Sequence, residues 1–227
     1  MTVHDQVVLT VDVGGSHVKA LPSNQSERRR FRSGHSLTAR QMVAGVLEAV
    51  DGWSWDVVSV GIPAPIRHGK VVSEPVNLGD GWVGFDYEQA FGKPTKIVND
   101  AVMQAVGSYS GGRMLFLGLG TGLGSAFIVD GTIEPLELGH LPFRKKTFED
   151  YVSERALEKS GKKKWKEAVF ETVEQLTKAM EPDEVVLGGG GATELDELPP
   201  GCRRGANENA FLGGFRLWDP EWVGRLG

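Results

Sequence analysis

The strongest constraint on this chain is a pattern that occurs twice: an apolar strand runs into glycines and returns at once as another strand. "VVLTVDVGGSHVKAL" turns at Gly14 and Gly15, and "RMLFLGLGTGLGSAFIVDG" turns in a run that places glycine at 118, 120, 122 and 124. Glycines at every second position weaken a strand, but they let a backbone approach a ligand closely. Hairpins inside an otherwise α/β pattern argue against a simple doubly wound sheet, in which a helix follows nearly every strand. Two similar halves, each opening on such a hairpin, predict a duplicated lobe.

The rest of the chain fits between these hairpins. "RRFRS" reads as a third strand at an edge, and "LTARQMVAGVLEAV" as a helix capped by Ser36. "DVVSVGIP" is a buried strand, "IRHGKVVSE" a hairpin turning near Gly69, and "YEQAFG" a short helix stopping at Gly92. "TKIVND" is a strand ending in two polar residues, followed by the helix "AVMQAVGSY". Two helices are expected over 147–180, separated near Gly161, then a last strand in "EVVLGGGG" and a helix or turn in "NENAFLGGFRLW". The expected division is an N-terminal lobe at 1–108 and a C-terminal lobe at 109–227, with the C-terminal tail packing back on the first.

The glycine run belongs to none of the common nucleotide fingerprints. Counted from Gly118, Gly120 or Gly122, the third position of G-x-G-x-x-G falls on Leu123, Ser125 or Phe127. A strand follows it where a dinucleotide fold places a helix. No G-K pair precedes Ser or Thr, and the H-R-D and D-F-G motifs of protein kinases are absent from the sequence. What remains is a turn whose backbone N–H groups, with Thr121 and Ser125, can cradle phosphate oxygens. "DVGGSHVK" repeats the design with Asp12, Gly14, Gly15 and Ser16, and Lys19 follows as a phosphate or solvent lysine. An acid beside a phosphate turn suits Mg²⁺ held partly through water, which makes Asp12 the candidate ligand. A third glycine cluster, "LGGGGA", again follows a strand.

Composition bears on partners. The net charge of −5 argues against general nucleic-acid binding, and no run approaches the length of a membrane span. "MTVHDQ" lacks the start of a signal peptide, and the single cysteine, Cys202, cannot form an internal disulfide, so a cytoplasmic location is expected. Positive charge is nonetheless clustered in "ERRRFR", "RKK" and "KKKWK", each of which can be an ordinary solvated face.

Taken together, "VDVGGSHVK", "VGIPAP", "NLGDGW", "VNDA", "LGLGTGLGSA" and "ELGH" resemble the ROK family of bacterial sugar kinases, and within it the polyphosphate-using subgroup. "GSY", "LPPG" and "AFLGGFRLW" extend the resemblance over about residues 8–218. It implies an actin-like, ribonuclease-H-like α/β fold: two similar lobes with mixed sheets flanked by helices. Many members carry a zinc-binding cysteine motif after "ELGH"; with one cysteine this chain has none, as in the polyphosphate subgroup. The stretch 21–32 is shorter than in relatives.

The resemblance also implies roles. Asp100 matches the catalytic base, although an Asn-Asp pair at a strand end also reads as a cap on the next helix. Asn77, Asn99, Asp100, Glu137 and His140 match positions that contact the sugar; by itself His140 reads equally as a structural histidine. Trp82 can line the sugar pocket or fill the core. Gly188, Gly189 and Gly190 match the adenosine-contact segment, and Gly120, Thr121 and Gly122 the second phosphate turn. The implied activity is transfer of a phosphoryl group from inorganic polyphosphate and/or ATP, with Mg²⁺, to the 6-hydroxyl of glucose. The alternatives are an ATP-only kinase for mannose, fructose or an N-acetyl hexosamine, and a non-catalytic sugar-binding protein. Polyphosphate would need a basic track, which "RKK" and "KKKWK" can supply. The family is commonly dimeric, so a homodimer is expected.

Overall fold

The computed structural model describes residues 6–206, 208–220 and 225–226. The first five residues of "MTVHDQ", and Asn207 of the C-terminal segment, therefore lie outside the described residues. The described chain divides into two compact units: Met1–Gly107 with Ala210–Val223, and Ser108–Asn209 with Gly224–Gly227.

In chain order, the first unit begins β1 (Val8–Val13), β2 (His17–Pro22), β3 (Arg29–Arg32) and α1 (Ala39–Ala49). It continues β4 (Val57–Ile62), β5 (Ile66–Arg67), β6 (Lys70–Val71), α2 (Tyr87–Phe91), β7 (Thr95–Asn99) and α3 (Asp100–Ser108). The second holds β8 (Arg113–Leu119), β9 (Leu123–Val129), β10 (Thr132–Leu136), β11 (Pro142–Phe143) and β12 (Lys146–Thr147). There follow α4 (Glu149–Val152), α5 (Glu154–Ser160), α6 (Lys162–Met180), β13 (Glu184–Gly188) and β14 (Cys202–Arg204). The chain ends with α7 (Asn209–Arg216) and β15 (Arg225–Leu226).

The two units repeat one topology. The first sheet has the order β3-β2-β1-β4-β7, antiparallel through β3, β2 and β1 and parallel from β1 to β4 to β7. The second runs β14-β13-β8-β9-β10-β15; β8, β9 and β10 form the antiparallel meander, while β13 and β14 pair parallel beside β8. This is an α/β fold of two similar mixed sheets with flanking helices. No helix among the described residues is long and apolar enough to cross a membrane.

The cores follow from burial on the two faces of each sheet. β1 and β4 are buried throughout, the mark of central parallel strands covered on both sides. α1 covers one face through Met42, Val43 and Val46. Its cap is Thr38, not Ser36: Thr38 and Gln41 form a reciprocal capping box, because only Thr38 lies three residues before a glutamine able to reach back. Near β1 and β4, α7 closes in through two glycines. A methyl on Gly213 would overlap the Met103 carbonyl, and one on Gly214 would overlap Thr10. Ser59 Oγ donates to the Gly214 carbonyl at 2.7 Å and accepts from Trp218 Nε1 at 2.9 Å. Trp82 is fully buried in this core, with Nε1 donating to the Leu37 carbonyl, so it is a packing residue.

In the second unit Trp165 anchors α6, its Nε1 donating to the Val152 carbonyl at 2.8 Å. The region 147–180 holds three helices, not two, because Ser153 caps a new helix directly after α4. β13 is not the last strand: β14 and β15 follow it on the two edges of the sheet.

Candidate active site

Each unit carries its own set of candidate residues, and both sets lie at strand ends or at the turns that leave them. In the first unit, β1 ends in the Gly14–Ser16 turn, closed by the Gly14 N–H donating to the His17 carbonyl at 3.0 Å. Gly15 and Ser16 face solvent. Asp12 is nearly buried and sits directly across from Lys19, whose Nζ lies 3.1 Å from Oδ2. Lys19 thus neutralises the acid beside the turn. The other carboxylate oxygen remains for a hydrated ion, and Mg²⁺ takes few protein carboxylates and keeps several waters. This donor set fits an ion that arrives on phosphates. No cluster of three metal-binding side chains is present among the described residues.

Asp100 stands at the first position of α3, just past the end of β7. β1 and β7 flank β4: Asp12 pairs in register with Gly61 of β4, and Gly61 with Val98 of β7, two residues before Asp100. Gly61 of β4 lies beneath the head of α3; a Cβ there would crowd Met103 and come within 3.4 Å of the Asp100 Cα. Asn99 is committed on both ends of its amide. Oδ1 accepts from the Ala101 N–H at 2.9 Å, capping α3, and Nδ2 donates to the Ala64 carbonyl at 3.1 Å. Asn77 is half-buried in the "NLGDGW" loop. That loop is drawn onto the chain before α1 at Gly79, whose N–H donates to the Leu37 carbonyl at 3.0 Å.

In the second unit, Gly120, Thr121 and Gly122 connect β8 and β9. The Gly120 carbonyl accepts from the first N–H of α5, Glu154, at 2.8 Å. The "LGGGGA" junction lies next to this turn, because Gly188 and Gly118 are partners on the parallel strands β13 and β8. Gly189 adopts φ +76° and touches the Leu119 carbonyl so closely that no side chain fits. The structure therefore brings Gly188, Gly189 and Gly190 beside the Gly120–Gly122 turn.

Ser125 does not join that turn. Its buried hydroxyl donates to the Leu136 carbonyl at 2.8 Å and accepts from the Leu138 N–H at 3.1 Å. It is a tether that holds the segment carrying Glu137 and His140. A carboxylate that the sequence reading missed joins them: His140 Nε2 lies 3.8 Å from Glu149 Oε1. The other Glu149 oxygen approaches the space a Cβ on Gly122 would fill, at 2.9 Å. Burial of its carboxyl raises the Glu137 pKa, His140 opposes the rise, and Glu149 adds to it. The only sequence signal for Glu149 is its place in the first turn of a short helix, which any acid can occupy. Cys202 is half-buried with its thiol pushed up to about 11 by burial, which disfavours the reactive thiolate.

No protein-family model matches the chain. Among curated proteins, polyphosphate glucokinase from Mycobacterium tuberculosis is 29% identical over 212 residues, covering 84% of this chain and 80% of its own length. A glucokinase from Pyrobaculum calidifontis is 30% identical over 148 residues, covering 58% of this chain and 48% of its own. Among solved structures, the inorganic polyphosphate/ATP-glucomannokinase from Arthrobacter sp. strain KM superposes with a TM-score of 0.83 at 24% identity, covering 94% of this chain and 98% of the other. A ROK family glucokinase from Streptomyces griseus, in complex with glucose and AMPPNP, superposes with a TM-score of 0.64 at 17% identity, covering 97% and 92%.

Proposed function

For a chain akin to the polyphosphate glucokinases and built on the ROK sugar-kinase fold, we propose a glucokinase activity: transfer of a phosphoryl group from inorganic polyphosphate and/or ATP to the 6-hydroxyl of glucose. The observation that carries this reading is Asp100, a carboxylate presented at the head of α3 past the carboxyl end of a parallel strand, in a chain with such relatives. Ligands of open α/β sheets bind outside those strand ends.

In the proposed reaction Asp100 accepts the proton of the glucose 6-hydroxyl as that oxygen bonds to the terminal phosphorus. The bridging P–O bond breaks, and its electron pair leaves with the shortened polyphosphate or with ADP. A positioned base contributes roughly 10²–10⁴-fold. Asn99 sets the start of α3 and so the place of Asp100; its remaining N–H can reach a sugar hydroxyl. Asn77, Glu137 and His140 take the other hydroxyls, since a carboxylate accepts two hydrogen bonds and a neutral imidazole both donates and accepts. Backbone N–H groups at Gly14, Gly15 and Ser16, and at Gly120, Thr121 and Gly122, receive phosphate oxygens, with Lys19 adjacent to the first set. Gly188, Gly189 and Gly190 leave room for the adenosine of ATP. Asp12 would hold Mg²⁺ through water, and the ion when bound neutralises phosphate charge. We place the enzyme in the cytoplasm as a homodimer, on the family resemblance.

The test is an assay of glucose 6-phosphate formation with each donor across a series of hexoses. Asp100→Asn is expected to lower kcat by about 10²–10⁴-fold with either donor, at little cost in glucose KM. Full activity in that variant removes Asp100 from the role of base. Strong preference for a 2-acetamido sugar removes glucose as the substrate.

A further inference from the structure

The basic clusters of the second unit are neutralised in part. Lys162 pairs with Asp196 at 2.9 Å and Lys166 with Glu197 at 2.9 Å. Arg144 pairs with Glu171, and Lys146 lies 3.7 Å from Asp150. A polyanion approaching these lysines also meets their carboxylates, so their combined field is weak.

The arginine-rich edge strand of the first unit is different. β3 alternates: Arg29 and Phe31 turn towards α1, where Arg29 stacks on Trp53 and donates to the Ala49 and Asp51 carbonyls. Phe31 lies against Gly45 of the same helix. Arg30 and Arg32 therefore point to the opposite face, and both are exposed. In register, Arg30 stands across from Lys19 and Arg32 across from His17. The same face continues to Asp12, which stands across from Lys19. The four basic positions form a patch of roughly 5 by 7 Å between Cα atoms. The patch abuts the first phosphate turn, since the Ser33 N–H donates to the Ser16 carbonyl at 2.9 Å. Among the described residues no carboxylate pairs with Arg30 or Arg32, and the one acid in the row, Asp12, is already matched by Lys19.

We propose that a polyphosphate chain bound at the Gly14–Ser16 turn continues along this β2–β3 face, held by Arg32 and Arg30, and that the acid-paired Lys162 and Lys166 of α6 are not its track. The inference rests on the polyphosphate reading above and names where that donor runs. An inorganic chain has no adenosine end to anchor, so its remaining phosphates follow the uncompensated positive charge. ATP and tripolyphosphate are too short to use the whole patch, and the effect grows with chain length.

The experiment compares donor KM for ATP, tripolyphosphate and long-chain polyphosphate in wild type, in Arg30→Gln/Arg32→Gln and in Lys162→Gln/Lys166→Gln. The arginine pair is expected to raise long-chain KM roughly fivefold per arginine, as about 1 kcal/mol per basic residue near an anionic surface gives. The salt dependence of that KM should flatten, with a log–log slope smaller by about 0.7 per lost charge if counterions are released as from single strands. ATP kinetics should stay at wild-type values, which also reports intact folding. The lysine pair should leave long-chain KM unchanged. A wild-type long-chain KM in the arginine variant overturns the track, as does an equal rise for ATP or an effect confined to the lysine variant. A wild-type enzyme that uses ATP but no polyphosphate of any length overturns the donor reading and the track together.

Discussion

Asn99 and Asp100 stand where a strand passes into a helix. The cap reading of "ND" holds in the geometry: Asn99 caps α3 and ties down Ala64, and Asp100 takes the first helical position, where the proposed base would stand. Glu137 carries a pH consequence. Its pKa is raised, chiefly by burial, so it gains a proton at a higher pH than an ordinary glutamate. A protonated carboxyl is a poorer acceptor for sugar hydroxyls, so glucose KM should rise on mild acidification before ordinary carboxylates titrate. Glu137→Gln should remove that dependence and raise KM by about tenfold or more, from the loss of a charge-assisted hydrogen bond worth about 1.5–3 kcal/mol. The stability effect has the opposite sense. A folded pKa above the unfolded value gives a contribution that is full below the unfolded pKa and lost as pH rises through the folded one. On the proposed sugar role, acid should therefore weaken glucose binding without destabilising the fold through this group. A pH series of KM and thermal midpoints in both proteins checks each half; a flat wild-type KM profile removes Glu137 from the sugar site.

At the scale of elements, the two glycine-turn hairpins were legible because continuous apolar runs and the glycine clusters that end them are local signals. The edge position of β3 and the Gly92 stop of α2 were legible for the same reason. α4 and β14 were not: each is four residues or fewer, and tertiary contacts rather than propensity hold them. The glycines of "LGGGGA" differ in what they do. Gly189 needs both its left-handed φ and its lack of a side chain, because the Leu119 carbonyl occupies the Cβ position. Gly189→Ala should cost about 1–3 kcal/mol by forced repacking and should weaken ATP binding. Chemical denaturation read together with donor KM tests this; an unchanged midpoint would mean that the junction relaxes without strain.

At the scale of the whole molecule, the C-terminal helix α7 is part of the first unit although it follows the second in sequence. Gly213 and Gly214 fit against α3 and β1, and Ser59 joins the Gly214 carbonyl and Trp218. A chain ending at Glu208 should lose the cooperative unfolding of the first unit, because Thr10, Ser59 and the backs of β1 and β4 become uncovered. Differential scanning calorimetry of that truncation, beside the intact chain, reads the loss directly; a retained first-unit transition would show α7 to be dispensable.

The sequence by itself determined the strand–glycine–strand duplication, the acid at the end of β1 and the acid that opens α3. These are properties of neighbouring residues, expressed through burial period, turn chemistry and caps. Only the tertiary structure decided which charges are spent. It set Asp196 and Glu197 against the lysines of α6, turned Arg30 and Arg32 to the face of Lys19, placed Glu149 beside His140 and used Ser125 as a tether. Coulomb interactions and hydrogen bonds act over a few ångströms of space. Residues far apart in the chain become partners only when the sheets and helices bring them together.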